Sequence, residues 1–154
     1  MTEKKSAKGS AKESAQALAE RCAAKLAGEE TAVHDLGIEL VTIAPGSATM
    51  QMKVVQRMTN GHSLCHGGLI FTLADTAFAY ACNSRNQSSV GAGASIEYLS
   101  PAYVDDTLTA VATPRGTAGR SAFYDVEVHD QTGKPIAIFR GRSHHLKGQK
   151  LVEQ

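Results

Sequence analysis

The chain has 154 residues, a length that fits one domain with one hydrophobic core and leaves no room for two ordinary ones. Sixteen Lys and Arg face fifteen Asp and Glu for a net charge of +1, so no charge excess argues for a nucleic-acid partner. Apolar residues make up 42% and charged residues 20%, which excludes a disordered chain, and no apolar run approaches the roughly 18 residues of a membrane span.

No apolar stretch follows Met1–Ser14, so no signal peptide is read there. Cys22, Cys65 and Cys82 are odd in number and scattered, which suits a reducing cytoplasm. The expected protein is cytoplasmic, with no membrane and no nucleic-acid partner.

In chain order, residues 1–10 carry Lys4, Lys5 and Lys8 without apolar periodicity, and a disordered tail is expected over them. A single domain is expected over 11–147 and a short tail over 148–154. Ala15, Leu18, Ala19, Cys22, Ala23 and Leu26 form the stripe of an amphipathic helix that stops at Gly28 and packs on the outside of the domain. Ile38, Leu40 and Ile43 then form a strand ending at Pro45-Gly46. Ala48, Met50, Met52 and Val54 follow, alternating with polar residues, and the two segments predict a hairpin with one wet face.

Period-2 alternation returns over Ser89–Leu99, over Leu108–Ala112 up to Pro114, over Tyr124–Val128, and over Ile136–His144 after the turn Gln131-Thr132-Gly133-Lys134. One segment breaks the pattern. GGLIFTLADTAFAYAC, from Gly67 to Cys82, is too long for a strand, and its sixteen residues include one charge and no Pro. It predicts a helix apolar on all sides, which belongs in a core. The predicted architecture is α+β: an antiparallel sheet of five or six strands curled around one buried helix.

Asp75 is the anomaly of that helix. Isolating an ionised carboxylate from water costs several kcal/mol at least, so Asp75 must be paired, hydrogen-bonded or facing a cavity. The bland alternative is a carboxylate tied to a hydroxyl such as that of Thr72 or Thr76, or to a charge elsewhere. At the helix start, Gly67 and Gly68 let a ligand approach bare backbone N–H groups that also feel the positive end of the helix dipole. Such groups can hold a carbonyl oxygen as it gains charge; the bland alternative is a tight loop that needs glycine.

Asp75 lies eight residues after Gly67, roughly 12 Å along a helix. One chain cannot bring both groups to one carbonyl. Two antiparallel copies of the helix, related by a two-fold axis near Phe71, can, and an isologous dimer with two composite sites is therefore expected.

Competing motifs fail on their details. Gly61-His62-Ser63-Leu64-Cys65 has Cys65 where a nucleophile elbow needs its last glycine. His62, Cys65 and His66 lack a fourth zinc ligand at finger-like spacing, and His144-His145 are adjacent on a strand, so their side chains diverge. Cys65 as a nucleophile competes with inert packing. Gly91-Ala92-Gly93 lacks the third glycine and the helix of a dinucleotide fingerprint. Neither a metal nor a cofactor is expected.

The run NGHSLCHGGLIFTLADTAFAYACNS, followed by SIEYLSPAYVDDTLTA and YDVEVHDQTGKPIAIFRGRSH, closely resembles the PaaI family of hotdog-fold acyl-CoA thioesterases. The resemblance covers about Leu36 to Leu146. It implies a long helix, about 66–83, wrapped by about six antiparallel strands, with the N-terminal helix as an addition. It also implies dimers joined sheet edge to sheet edge and tetramers built from those. Carried onto this chain, it makes the Gly67 N–H the group that polarises the thioester carbonyl. Asp75 of the neighbouring subunit becomes general base or nucleophile, Asn60 orients water or that carboxylate, and His66 supports the carbonyl-binding loop. Thr76, with Gly68 and Phe71, would line the acyl pocket. Some relatives place a hydroxyl where this chain has Gly91, and that role stays empty.

The resemblance implies hydrolysis of phenylacetyl-CoA or a ring-hydroxylated relative. The alternatives are a hydratase or dehydratase using the His66 imidazole as base, and a non-catalytic acyl-CoA-binding protein. Coenzyme A is strongly anionic while the net charge is only +1, so its phosphates need local partners; Arg115, Arg120 and Arg142 are the candidates.

Overall fold

The computed structural model describes residues 12–154, so the tail expected over 1–10 lies outside the described residues. The first helix, α1 (Ala15–Ala27), is capped by Ser14, whose hydroxyl accepts the Ala17 N–H at 3.1 Å, and it ends at Gly28. It buries Ala19, Cys22 and Ala23 against the rest of the domain. A second helix, α2 (Thr31–Asp35), was not expected: five residues with only Val33 buried leave no apolar period to read.

Six strands follow: β1 (Ile38–Ala44), β2 (Ser47–Lys53), β3 (Ser89–Tyr98), β4 (Thr107–Ala118), β5 (Ser121–His129) and β6 (Pro135–His145). They form one antiparallel sheet in the order β1-β2-β4-β5-β6-β3. The expected stop at Pro114 is corrected. The register shifts between Pro114 and Gly116, and this bulge accommodates the missing N–H while the strand runs on to Ala118. β3 crosses to the far edge and pairs with β6 alone.

Helix α3 (Gly67–Asn83) lies on the concave face and touches all six strands. Ala48, Met50 and Met52 on β2, Leu108 on β4 and Val126 and Val128 on β5 close over Leu73, Ala77 and Phe78 of the helix. This is the hotdog arrangement.

The expectation of a helix buried on every side is corrected. Gly68 and Asp75 are exposed and Thr72 and Ala79 are half-buried. These four fall at i, i+4, i+7 and i+11, so one stripe of α3 is uncovered in the single chain. The sheet cannot wrap a cylinder completely, and the small and polar residues sit where it stops.

Residues 148–154, read as a tail, carry no helix or strand. Asn86 holds them: its Oδ1 accepts the N–H groups of Leu151 and Val152, both at 2.9 Å, and its Nδ2 donates to the Val152 carbonyl. Among the described residues no helix is long and apolar enough to cross a membrane.

Candidate active site

The loop before α3 is organised by Asn60. Its Oδ1 accepts the N–H groups of His62 at 2.9 Å and Leu64 at 3.2 Å, closing a turn that a Thr59–Cys65 bridge holds at its base. With Oδ1 taken, the remaining polar group of Asn60 is the Nδ2 donor. His66 caps α3: its Nδ1 accepts the Gly68 N–H at 3.4 Å, and its own N–H is anchored to the Met58 carbonyl. The Gly67 N–H has no partner among the described residues, and it opens the first turn of a seventeen-residue helix. It is part of the positive end of the helix dipole.

Beside it lies a cleft of about 430 Å³ lined by Asn60, Leu64, Gly67, Ile70, Tyr98 and Pro101, among others. A larger cleft of about 470 Å³ runs over the outer sheet face past Glu97, Asp125 and Arg140, away from the head of α3; its Asp125 is already paired with Arg115 and Arg140.

Asp75 is neither paired nor hydrogen-bonded to any described residue. The hydroxyls of Thr72 and Thr76 donate instead to the Gly68 and Thr72 carbonyls, at 2.9 and 2.7 Å, so the tie that the bland reading required is not made. The carboxylate projects from the open stripe, yet the apolar faces around its base withdraw water and raise its pKa above the ordinary value.

A second carboxylate, Glu30 at the start of α2, escaped the sequence reading because it belongs to no periodic run. Its Oε2 is buried without a partner, and burial raises its pKa, with the charge of Asp75 adding and that of His34 opposing. Tyr98 was also missed: its hydroxyl donates to the Gly67 carbonyl at 2.8 Å, across thirty-one residues of sequence.

The other candidates are dispersed. Phe71 is half-buried and packs edge-on against Phe139, while Thr76 is buried with its hydroxyl committed to the helix. Arg115 pairs with Asp125 at 3.0 Å, and Arg142 donates to the Ala92 carbonyl at 2.9 Å. Arg120 lines a separate cavity of about 160 Å³ with Arg85, His145 and Ser121. The three arginines therefore make no single cluster. Burial, with the Asp106 charge behind it, pushes the Cys65 thiol up to about 11, which disfavours a thiolate nucleophile. No three His, Cys, Asp or Glu side chains among the described residues stand close enough to hold a metal.

Residues 62–137 match the Thioesterase superfamily. The chain is 45% identical over 113 residues to the acyl-coenzyme A thioesterase PaaI of Escherichia coli K12, covering 73% of this chain and 81% of that protein. The solved structure of the E. coli PaaI protein from the phenylacetic acid degradation operon superposes with a TM-score of 0.86 at 40% identity, over 88% of this chain and 99% of that one. A hypothetical thioesterase from Streptococcus pneumoniae TIGR4, solved with coenzyme A, superposes with a TM-score of 0.69 at 26% identity, over 73% and 90%.

Proposed function

The chain belongs to the PaaI branch of the hotdog thioesterase superfamily and is an acyl-CoA thioesterase, and from that premise we propose that it hydrolyses arylacetyl-CoA thioesters of the phenylacetyl type at a site shared by two subunits. The observation that carries the site is the Gly67 N–H at the head of α3, unpartnered among the described residues, on a residue that lines a cleft together with Asn60. The thioester carbonyl accepts from that N–H. Leu64, Ile70, Tyr98 and Pro101 offer apolar surface to an aryl group.

Asp75 comes from the second subunit. Its place on the open stripe of α3 supports this, as does the largely exposed edge strand β3, which leaves Val90 and Tyr98, with Leu99 just after it, in solvent on the single chain. The carboxylate takes a proton from water, the water oxygen adds to the carbonyl carbon, and the Gly67 N–H holds the oxyanion. Collapse breaks the carbon–sulfur bond and releases coenzyme A as thiolate and the acid as product. Asn60 Nδ2 can hold only an acceptor, which suits the water oxygen or the Asp75 carboxylate.

The hydratase alternative needs a basic imidazole nitrogen on His66. Its Nδ1 is the helix cap, which in the neutral ring leaves the proton on Nε2, a donor. Of the three candidate arginines, Arg120 and Arg142 have no carboxylate partner among the described residues, and Arg142 is spent on the Ala92 carbonyl, which leaves Arg120 for the coenzyme. Arg120→Gln is expected to raise KM with kcat little changed, as loss of uniform binding does.

The deciding experiment is thiol release from a panel of acyl-CoAs, aliphatic and aryl. Preference for arylacetyl thioesters supports the reading; preference for straight-chain acyl groups overturns the substrate; hydration of an enoyl-CoA without thiol release overturns the reaction.

A further inference from the structure

At the first turn of α3, the Tyr98 phenol donates to the Gly67 carbonyl at 2.8 Å. The ring stands where a side chain on residue 67 would be: a Cβ built there lies 2.9 Å from Tyr98 Cζ and 3.0 Å from its oxygen. Real Cβ atoms essentially never approach so closely, so a side chain at 67 would have to displace the Tyr98 ring from its place. Tyr98 is the last residue of β3, paired with Ala137 on β6, and its backbone is fixed by the ladder. It also lines the same cleft as Gly67.

We propose that Tyr98 is a positioning residue for the oxyanion site, fixing the Gly67 peptide from the sheet edge and filling the space that a side chain at 67 would need. The inference rests on the thioesterase reading given above. A helix N-terminus frays because its first N–H groups lack internal partners. Here His66 restrains the Gly68 N–H and Tyr98 restrains the Gly67 carbonyl, two ends of one peptide unit. That unit sets the direction of the neighbouring Gly67 N–H, which must point at the oxyanion rather than wander. Desolvation raises the Tyr98 pKa, so the phenol remains a donor throughout the neutral range.

The test has a catalytic arm and a packing arm. Tyr98→Phe keeps the ring and removes the donor. We expect kcat to fall about fivefold to tenfold with KM within twofold, the scale of one lost hydrogen bond felt in the transition state. Phe also removes any loss of rate that accompanies phenol ionisation at high pH. In the packing arm, Gly67→Ala is made in the parent and in Tyr98→Ala. It should lower kcat and the melting temperature sharply in the parent, and change both far less once the ring is gone.

Parental kcat in Tyr98→Phe overturns the positioning role, and equal effects of Gly67→Ala in both backgrounds overturn the packing role. A parent that releases thiol from no acyl-CoA overturns the functional reading instead. The melting-temperature cycle then still decides the packing arm.

Discussion

Asp75 stands eight residues beyond Gly67 on α3, roughly 12 Å along the axis, and makes no hydrogen bond or ion pair to the described residues of its own chain. A carboxylate that holds nothing in the fold is dispensable to it. Asp75→Asn is therefore expected to leave the melting temperature of the protein close to parental. It should lower turnover at least a hundredfold, the scale of losing a general base. Thermal melting and thiol release on the same preparation check both halves. Turnover near the parent's refutes the base, and a collapse of stability shows that the carboxylate serves the assembly instead.

The parts of this fold that were legible are those where one face meets the core of its own chain. Met50 and Met52 are buried while Thr49 and Gln51 are only half-buried, so the alternation of β2 carried its register. The stripe of Ala19, Cys22 and Ala23 fixed α1 in the same way. Pro114 misled because a bulge removes the penalty that normally ends a strand. Asp75 is anomalous only on a helix covered all round, and it stands exposed on the open stripe instead. Gly68, Thr72 and Ala79 pass as ordinary helix residues, and nothing in one sequence says that the sheet stops short of them. The Tyr98–Gly67 contact joins positions far apart in sequence and follows no period, so only the folded chain shows it.

Glu30 gives a prediction about pH and stability. Its Oε2 is buried without a partner among the described residues, and its pKa in the folded chain is raised by burial first, with the His34 charge opposing and the Asp75 charge adding. A carboxyl that binds its proton more tightly when folded favours folding at acid pH. That contribution is present below the ordinary glutamate range and lost as pH rises through the folded pKa. Ionised Glu30 thus opposes folding at neutral pH. Glu30→Gln should raise the melting temperature at pH 7–8 by roughly 2–4 °C, what about 1 kcal/mol is worth at this chain length. The gain should vanish toward pH 4, and melting curves across that range read it out. A lowered melting temperature at neutral pH means that Oε2 accepts a bond in the assembled protein.

Phe78 lies flat on Gly141 of β6, where an added Cβ would come within 2.9 Å of three ring carbons. The ring is 1% exposed and wedged between Tyr124 and Phe139, at centroid distances of 5.7 and 5.9 Å, so it cannot yield. Gly141→Ala should destabilise by about 1–3 kcal/mol, the usual range for overpacking. Gly91→Ala is the control: its Cβ would meet the same ring at 3.5 Å, an ordinary contact. That change should stay within about 0.5 kcal/mol of the parent. Denaturant titrations of the two variants test the pair, and equal stability in both refutes the account of the core.

The composite site makes the strongest demand on geometry. If Gly67 and Asp75 serve one carbonyl from different chains, two inactive variants should complement each other. Gly67→Val drives a side chain into the Tyr98 ring and the carbonyl site while keeping its own Asp75. Asp75→Asn keeps its own Gly67. In a mixed dimer, one site draws the intact glycine from one chain and the intact aspartate from the other; the second site carries both lesions and stays dead. Random mixing puts about half of the dimers in the hybrid form with one working site each, so activity should return to roughly a quarter of parental. Co-expression with two purification tags isolates the hybrids directly, and these should show about half of the parental activity per dimer. Verified heterodimers without activity would mean that both groups act within one chain, which the helix spacing forbids unless α3 itself rearranges.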